Sequence, residues 1–221
     1  MNWLAHLYLS EPNAAFRIGN LLPDFLRPAE LAGLPSEFQR GAEQHRRIDL
    51  FTDTHPVFRT SASRITGDFR RFKGILVDMF YDHFLARDWA KFSATPLRDF
   101  ATEIYTSFET HRSEIPAEAY FHLERMKRAN WLCAYRETSG VSAALGRIGQ
   151  RLRRPVPLAN AISVLEKQYD SFYADFNAFF PEMISHLWTA KHRSASSCPA
   201  SIDGAMLLTS AAAYSRIAGS P

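Results

Sequence analysis

Apolar residues recur along this chain at intervals of three and four, and short stretches of strict apolar–polar alternation are scarce, a pattern that predicts an all-α fold. Ser36-Glu37-Phe38-Gln39 has the S-x-x-Q form of a capping box, and Thr95-Pro96 offers a capping hydroxyl before a proline at a first helical position. Both predict helix starts. The helix from Ser36 is expected to run to about Asp53, because Pro56 pushes His55 out of the α region. From Gly74 to about Phe92, Ile75, Val77, Met79, Phe80, Phe84, Leu85 and Trp89 cover most sides of a helix, broken by Asp78, Asp82 and His83. A helix apolar nearly all round belongs at the centre of a bundle. Further helices are expected at about 97–111, 117–137, 141–152 and 158–192. The last carries Tyr169, Phe172, Tyr173, Phe176, Phe179 and Phe180, an aromatic stripe that reads as core. Beyond His192 the chain turns rich in Ser and Ala. This predicts one helical domain over 1–192 and a poorly ordered tail over 193–221.

Composition narrows the class. With 46% hydrophobic residues among 221 the chain can bury a sizeable core, and no apolar run approaches the ~20 residues of a membrane span. No cationic leader precedes an apolar stretch at the N-terminus, so the expected location is cytoplasmic. Two cysteines, Cys133 and Cys198, lack CxxC spacing and suggest neither a disulfide framework nor a zinc knuckle. The net charge of +3 does not by itself indicate a nucleic-acid partner. Two basic clusters stand out: Arg59, Arg64, Arg70, Arg71 and Lys73 against the single acid Asp68, and the four arginines from Arg147 to Arg154 with no acid between them. Each fits either a solvated helix face or a surface for an acidic partner.

The candidate chemistry lies in Asp and His residues set within apolar helices, since an ionised carboxylate is seldom buried without a partner or a metal. His45 and Asp49 are four apart and share a helix face. Asp53 extends that stripe by a turn, but its place at the expected helix end reads as a turn or cap residue. Asp78 and Asp82 stack on the central helix, with His83 about 100° round from Asp82. Oxygen and imidazole ligands from two packed helices suit Mn²⁺, Mg²⁺ or Fe²⁺; the same residues also suit buried Asp–His and Asp–Arg pairs. His6, in an apolar segment, and Asp24, after Pro23, are further candidates that equally fit a core histidine and a turn residue. GxGxxG, Walker, HExxH and GxSxG motifs are absent, so no nucleotide-cofactor, P-loop, zincin or serine-hydrolase site is expected.

Four segments taken together carry a resemblance: Met1-Asn2-Trp3-Leu4-Ala5-His6-Leu7, Gly19-Asn20-Leu21-Leu22-Pro23-Asp24-Phe25, His45-Arg46-Arg47-Ile48-Asp49 with Thr52-Asp53, and Asp78 to Leu85. In order and spacing they resemble the acyl carrier protein phosphodiesterase family, over about residues 1–190. The resemblance implies a cytoplasmic hydrolase of fatty acid metabolism that removes 4′-phosphopantetheine from a carrier-protein serine with a divalent metal, typically Mn²⁺. It also implies a fold akin to the all-α HD-type phosphohydrolases, although the adjacent pair here is the reversed Asp82-His83. On that basis His6, Asp24, His45, Asp82 and His83 are the expected metal ligands. Asp49 and Asp78 are expected to orient or deprotonate the attacking water, and Arg46 or Arg47 to hold the phosphate. The acidic carrier protein is the expected partner, with the two basic clusters as docking surfaces. A related metal phosphohydrolase of nucleotides or other small diesters, and a non-catalytic helical binding protein, are the alternative readings.

Overall fold

A computed structural model describes residues 1–194, with side chains through Leu187. Twelve α-helices occur among them: α1 (Trp3–Tyr8), α2 (Ala14–Gly19), α3 (Pro28–Ala32), α4 (Ser36–Thr54), α5 (Pro56–Ser63), α6 (Lys73–Arg87), α7 (Leu97–Thr110), α8 (Ala117–Arg128), α9 (Trp131–Ala134), α10 (Thr138–Arg151), α11 (Ile162–Lys167) and α12 (Tyr169–Ser194). No strand is present among the described residues, as the periodicity predicts. No helix there is long and apolar enough to cross a membrane. The Ser/Ala-rich stretch expected to form a tail, with Cys198, lies outside the described residues from 195 onward.

Every residue of α6 from Ile75 to Ala86 is buried, so this helix is the axis of the bundle, as its all-round apolar composition requires. The aromatic stripe of α12 packs against it: Phe80 meets Phe172 at 5.2 Å, and Tyr81 and Phe84 meet Phe176 at 5.6 and 5.7 Å between ring centroids. Helix α1 lies on α6 through its first turn, where the Leu4 and Ala5 amides donate to Asp82 Oδ2 and Oδ1 at 2.8 and 3.2 Å. A carboxylate placed there satisfies amides that have no partner within the helix and meets the positive end of its dipole.

Helices α2 and α4 come close enough for their backbones to touch. A Cβ at Gly19 would fall 2.3 Å from Phe38 O, and one at Gly41 2.1 Å from Phe16 O. Only glycine fits such an approach. Its effect is to press Asn20, the residue that ends α2, against the buried face of α4 that carries His45.

Several boundaries differ from expectation. Helix α4 ends where Pro56 dictates, with His55 extended at ψ 130°. Its start is capped differently: Pro35 occupies the capping position, Ser36 is already helical, and Gln39 donates instead to Ala32 O and Leu34 O. Likewise Pro96 caps α7, and Thr95 contributes its carbonyl to Trp89 Nε1 rather than a capping hydroxyl. The single helix expected over 117–137 is broken by Asn130, left-handed at φ 45°, a conformation Asn tolerates better than most residues. The stretch expected as one helix over 158–192 begins with a 3₁₀ turn at Leu158–Ala161 and breaks again at Gln168, which leaves the helical region (φ −129°) and opens α12. The central helix stops at Arg87, followed by a 3₁₀ turn at Trp89–Lys91.

Candidate functional site

Two imidazoles and a carboxylate meet where α1, α2 and α4 converge. The rings of His6 and His45 stack at 4.1 Å between centroids, inclined by 19°. Asn20 holds both. Its amide nitrogen donates to His6 O at 2.9 Å and Ser10 Oγ at 2.8 Å, which leaves Oδ1 as acceptor for His6 Nδ1 at 3.0 Å. Its backbone carbonyl accepts from His45 Nδ1 at 2.8 Å. His45 Nδ1 therefore carries hydrogen, whereas both nitrogens of His6 face acceptors, since its Nε2 also lies 3.1 Å from Met1 O; both Nε2 atoms are turned toward Asp49. Fixing the tautomer through the far ring nitrogen is the arrangement that prepares a histidine to ligate a metal.

Asp49 completes the group. His6 Nε2 lies 3.3 Å from Asp49 Oδ1, and His45 Nε2 3.1 Å from Asp49 Oδ2. The latter contact lacks hydrogen-bond alignment, so His45 Nε2 is a buried nitrogen without a hydrogen-bond partner. One ligating atom from each of His6, His45 and Asp49 lies within 4.8 Å of the others. Nitrogen lone pairs and carboxylate oxygens facing one another at such distances repel unless a proton or a cation stands among them. The donor set and the orphaned nitrogen both fit a divalent metal.

Asp24 lies beside the group, and Asp78 is linked to it through the Met1 amino group, 3.7 Å from Asp49 Oδ1. Asp24 Oδ1 is 3.8 Å from His45 Nε2, and its Oδ2 accepts from Trp3 Nε1 at 2.6 Å. Asp78 Oδ1 is 2.9 Å from the Met1 amino group. Burial pushes both carboxyls above the usual range. Burial likewise lowers His6 to about 4, with the neighbouring His45 adding to the effect. For His45 burial acts downward too, but Asp49 and Asp24 outweigh it and hold the ring up at about 9. Asp49 resists its own burial because His45 and His6 stabilise its charge, and its carboxyl falls well below the usual range. Asp53, one turn further along α4, is partly buried and pushed up to about 6 by burial and by Asp78. Sequence reasoning treated it as a turn residue, but it belongs to the same acidic face.

Four expected site residues lie elsewhere. Arg46 and Arg47 pair with Glu43 at 2.8 and 3.5 Å on the exposed side of α4, because residues one and two positions after His45 point about 100° and 200° away from it. Neither reaches the cluster. Asp82 is occupied by the two amides of α1, and His83 has both nitrogens engaged, Nδ1 with Tyr135 O at 2.8 Å and Nε2 with Tyr169 Oη at 2.7 Å. Neither is among the three donors that converge at Asp49. Asn20, by contrast, was not singled out from sequence at all.

Residues 1–183 match the family model described as acyl carrier protein phosphodiesterase. A Yersinia pestis protein named acyl carrier protein phosphodiesterase is 32% identical over 190 residues, covering 83% of this chain and 96% of the relative. One of the same name from Photorhabdus laumondii is 30% identical over 185 residues, covering 83% and 93%, and one from Escherichia coli O127:H6 is 30% identical over 185 residues, covering 83% and 96%. No solved structure gives a significant match.

Proposed function

This chain belongs to the acyl carrier protein phosphodiesterase family, and from that premise we propose that its buried His6–His45–Asp49 group is the centre that hydrolyses the phosphodiester between 4′-phosphopantetheine and a carrier-protein serine. Water attacks phosphorus, the bond from phosphorus to the serine oxygen breaks, and the products are apo-carrier protein and free 4′-phosphopantetheine. The observation that carries the assignment is the convergence of both Nε2 atoms on Asp49, with Asn20 fixing the two rings.

His6, His45 and Asp49 would hold the cation, with Asp24 at its edge. Their nitrogen and oxygen donors, without thiolate, favour Mn²⁺, Mg²⁺ or Fe²⁺ over the sulfur-rich sites that select zinc. A bound divalent ion would supply Lewis acidity toward the phosphoryl oxygens and lower the pKa of water there. The protein's own groups must then move protons. Asp53, near 6, is suited to release one to the departing serine oxygen at neutral pH, and Asp78, raised by burial, to orient the attacking water. A helical fold of the HD phosphohydrolase type and action in the cytoplasm on the carrier protein of fatty acid synthesis are consistent with this reading.

The test is the intact mass of holo-acyl carrier protein after incubation with the enzyme in Mn²⁺ or in EDTA. Loss of one phosphopantetheine in Mn²⁺ alone is expected. An unchanged mass under both conditions, with folded enzyme, refutes the assignment; turnover of free nucleotides or small diesters instead would move the substrate to that class.

A further inference from the structure

A narrow cleft between the start of α1 and helices α6, α9 and α10 is lined by Asn2, Trp3, Trp131, Tyr135, Arg147 and Arg151, among others. Two partly buried arginines line it, with Arg125 of α8 near enough to act on both: Arg147 lies over the Trp131 ring at 4.5 Å, and the positive charges of Arg125, Arg147 and Arg151 act on one another. None forms an ion pair among the described residues, whereas Arg64 of the other basic cluster is neutralised by Asp175 at 3.0 Å. Two donors there are buried without a partner, Arg151 Nη2 and the Nε1 of Trp131, itself only 5% exposed. An unpaired, partly buried guanidinium with one buried donor and an orphaned indole N–H are costly unless an anion joins them.

The cleft is connected to the catalytic centre. Trp3 donates to Asp24 and stacks on Trp131 at 5.2 Å with the rings nearly parallel, and Trp131 in turn carries Arg147. Phe25, next to Asp24, stacks on His122 at 5.1 Å, and His122 faces Arg125 and Arg151. Beside it stands Phe121, one of the two large hydrophobic side chains most exposed in the described residues. An anion in the cleft is thus two stacked indoles from the group that takes the phosphate.

The chemistry of the substrate identifies this second anion. Phosphopantetheine carries charge only at its phosphate; its hydroxyl, amides and thiol are neutral. A further negative group within reach must belong to the protein half of the substrate. Resting on the function proposed above, we infer that Arg125, Arg147, Arg151 and the Trp131 N–H form a carboxylate subsite that receives acidic side chains flanking the modified serine of the carrier protein. Planar guanidinium groups suit carboxylates through paired hydrogen bonds. Recognition of the carrier is thereby placed on α8 and α10.

Arg151→Gln and Arg147→Gln separate this from a general charge effect, with Arg70→Gln as an equal loss of charge elsewhere. Two quantities are measured for each: KM and kcat on holo-carrier protein, and the Kd of fluorescently labelled apo-carrier protein, which keeps the carboxylates and lacks the arm. Either cleft variant is expected to raise KM and the apo-carrier Kd about tenfold with kcat within about twofold, and to flatten their dependence on salt. Arg70→Gln should leave both values within about twofold. Unchanged KM and Kd in both folded cleft variants, or an equal rise in Arg70→Gln, overturns the subsite. The apo-carrier arm judges it even if the wild type releases no phosphopantetheine, a result that would sink the catalytic assignment instead.

Discussion

Histidine–aspartate constellations occur twice in this bundle, and their fates are opposite. On α4, His45 and Asp49 are four residues apart, and the histidine Nε2 is left without an aligned partner, facing carboxylate oxygens. On α6, Asp82 and His83 are adjacent, and every polar atom is answered: two amides for the carboxylate, a carbonyl and a phenol for the ring. Residue type does not separate them, nor does burial, since His45 and His83 are both only 2% exposed. Satisfaction does. A polar group fully paired inside the protein serves the fold; one held rigid without an aligned partner retains the capacity to bind.

Removing Asp49 should test the contrast hardest. Asp49→Ala is expected to cut turnover of holo-carrier protein about a thousandfold, since a lost cation forfeits several kcal/mol of charge stabilisation, while the circular dichroism spectrum stays helical. Activity within tenfold of wild type, measured by intact mass, would erase the distinction between the two constellations. Asp82→Ala should do the reverse. It strands two buried amides at the start of α1, at a cost of about 3 kcal/mol, and lowers Tm by roughly 6–12 °C. A variant with unaltered Tm and abolished turnover would return Asp82 to the chemistry.

Asn20→Ala is the intermediate case, because it removes the acceptor that fixes His6 but leaves its own backbone carbonyl for His45. Metal affinity should fall about ten- to a hundredfold, read by titration of the metal-free protein; an unchanged affinity would mean that ring orientation is set by packing alone. The smallest effect concerns a third kind of histidine. His122 is held down to about 4 by burial and by Arg151 and Arg125, below the unfolded value near 6.5. The unfolded chain therefore takes up this proton first, so the stability it represents is present above pH 6.5 and lost as pH falls toward 4. Because the ring is partly exposed, the loss is about 1 kcal/mol after allowance for solvent screening, and His122→Gln should flatten that slope in urea melts.

The sequence made one half of the site readable and concealed the other. His45 and Asp49 were visible because a spacing of four is a property of one helix. Helical geometry also sufficed to turn Arg46 and Arg47 away from that face, and proximity in sequence to His45 was a misleading guide to them. Asn20 carried no signal, since an amide between a glycine and a leucine looks like any helix end until its partners, His6 and His45, arrive from separate elements. The partners of Asp82 were hidden for the same reason: the amides that occupy it are 77 and 78 residues away. The fold followed the same rule. Capping and proline signals placed α4 and an all-round apolar run placed α6, but nothing marked the breaks at Asn130 and Gln168, where single residues leave the helical region without a proline or glycine to announce it.

The contact between α2 and α4 reaches further than packing. With Phe16 O and Phe38 O lying where side chains at Gly41 and Gly19 would begin, even one added methyl group must part the helices. Asn20 would then move away from His45, and the two imidazoles would lose their common anchor. An unbiased mutational screen would score Gly41 as an active-site residue, although it touches neither metal nor substrate. Damage to the architecture at that crossing would reach the cell as a defect in chemistry.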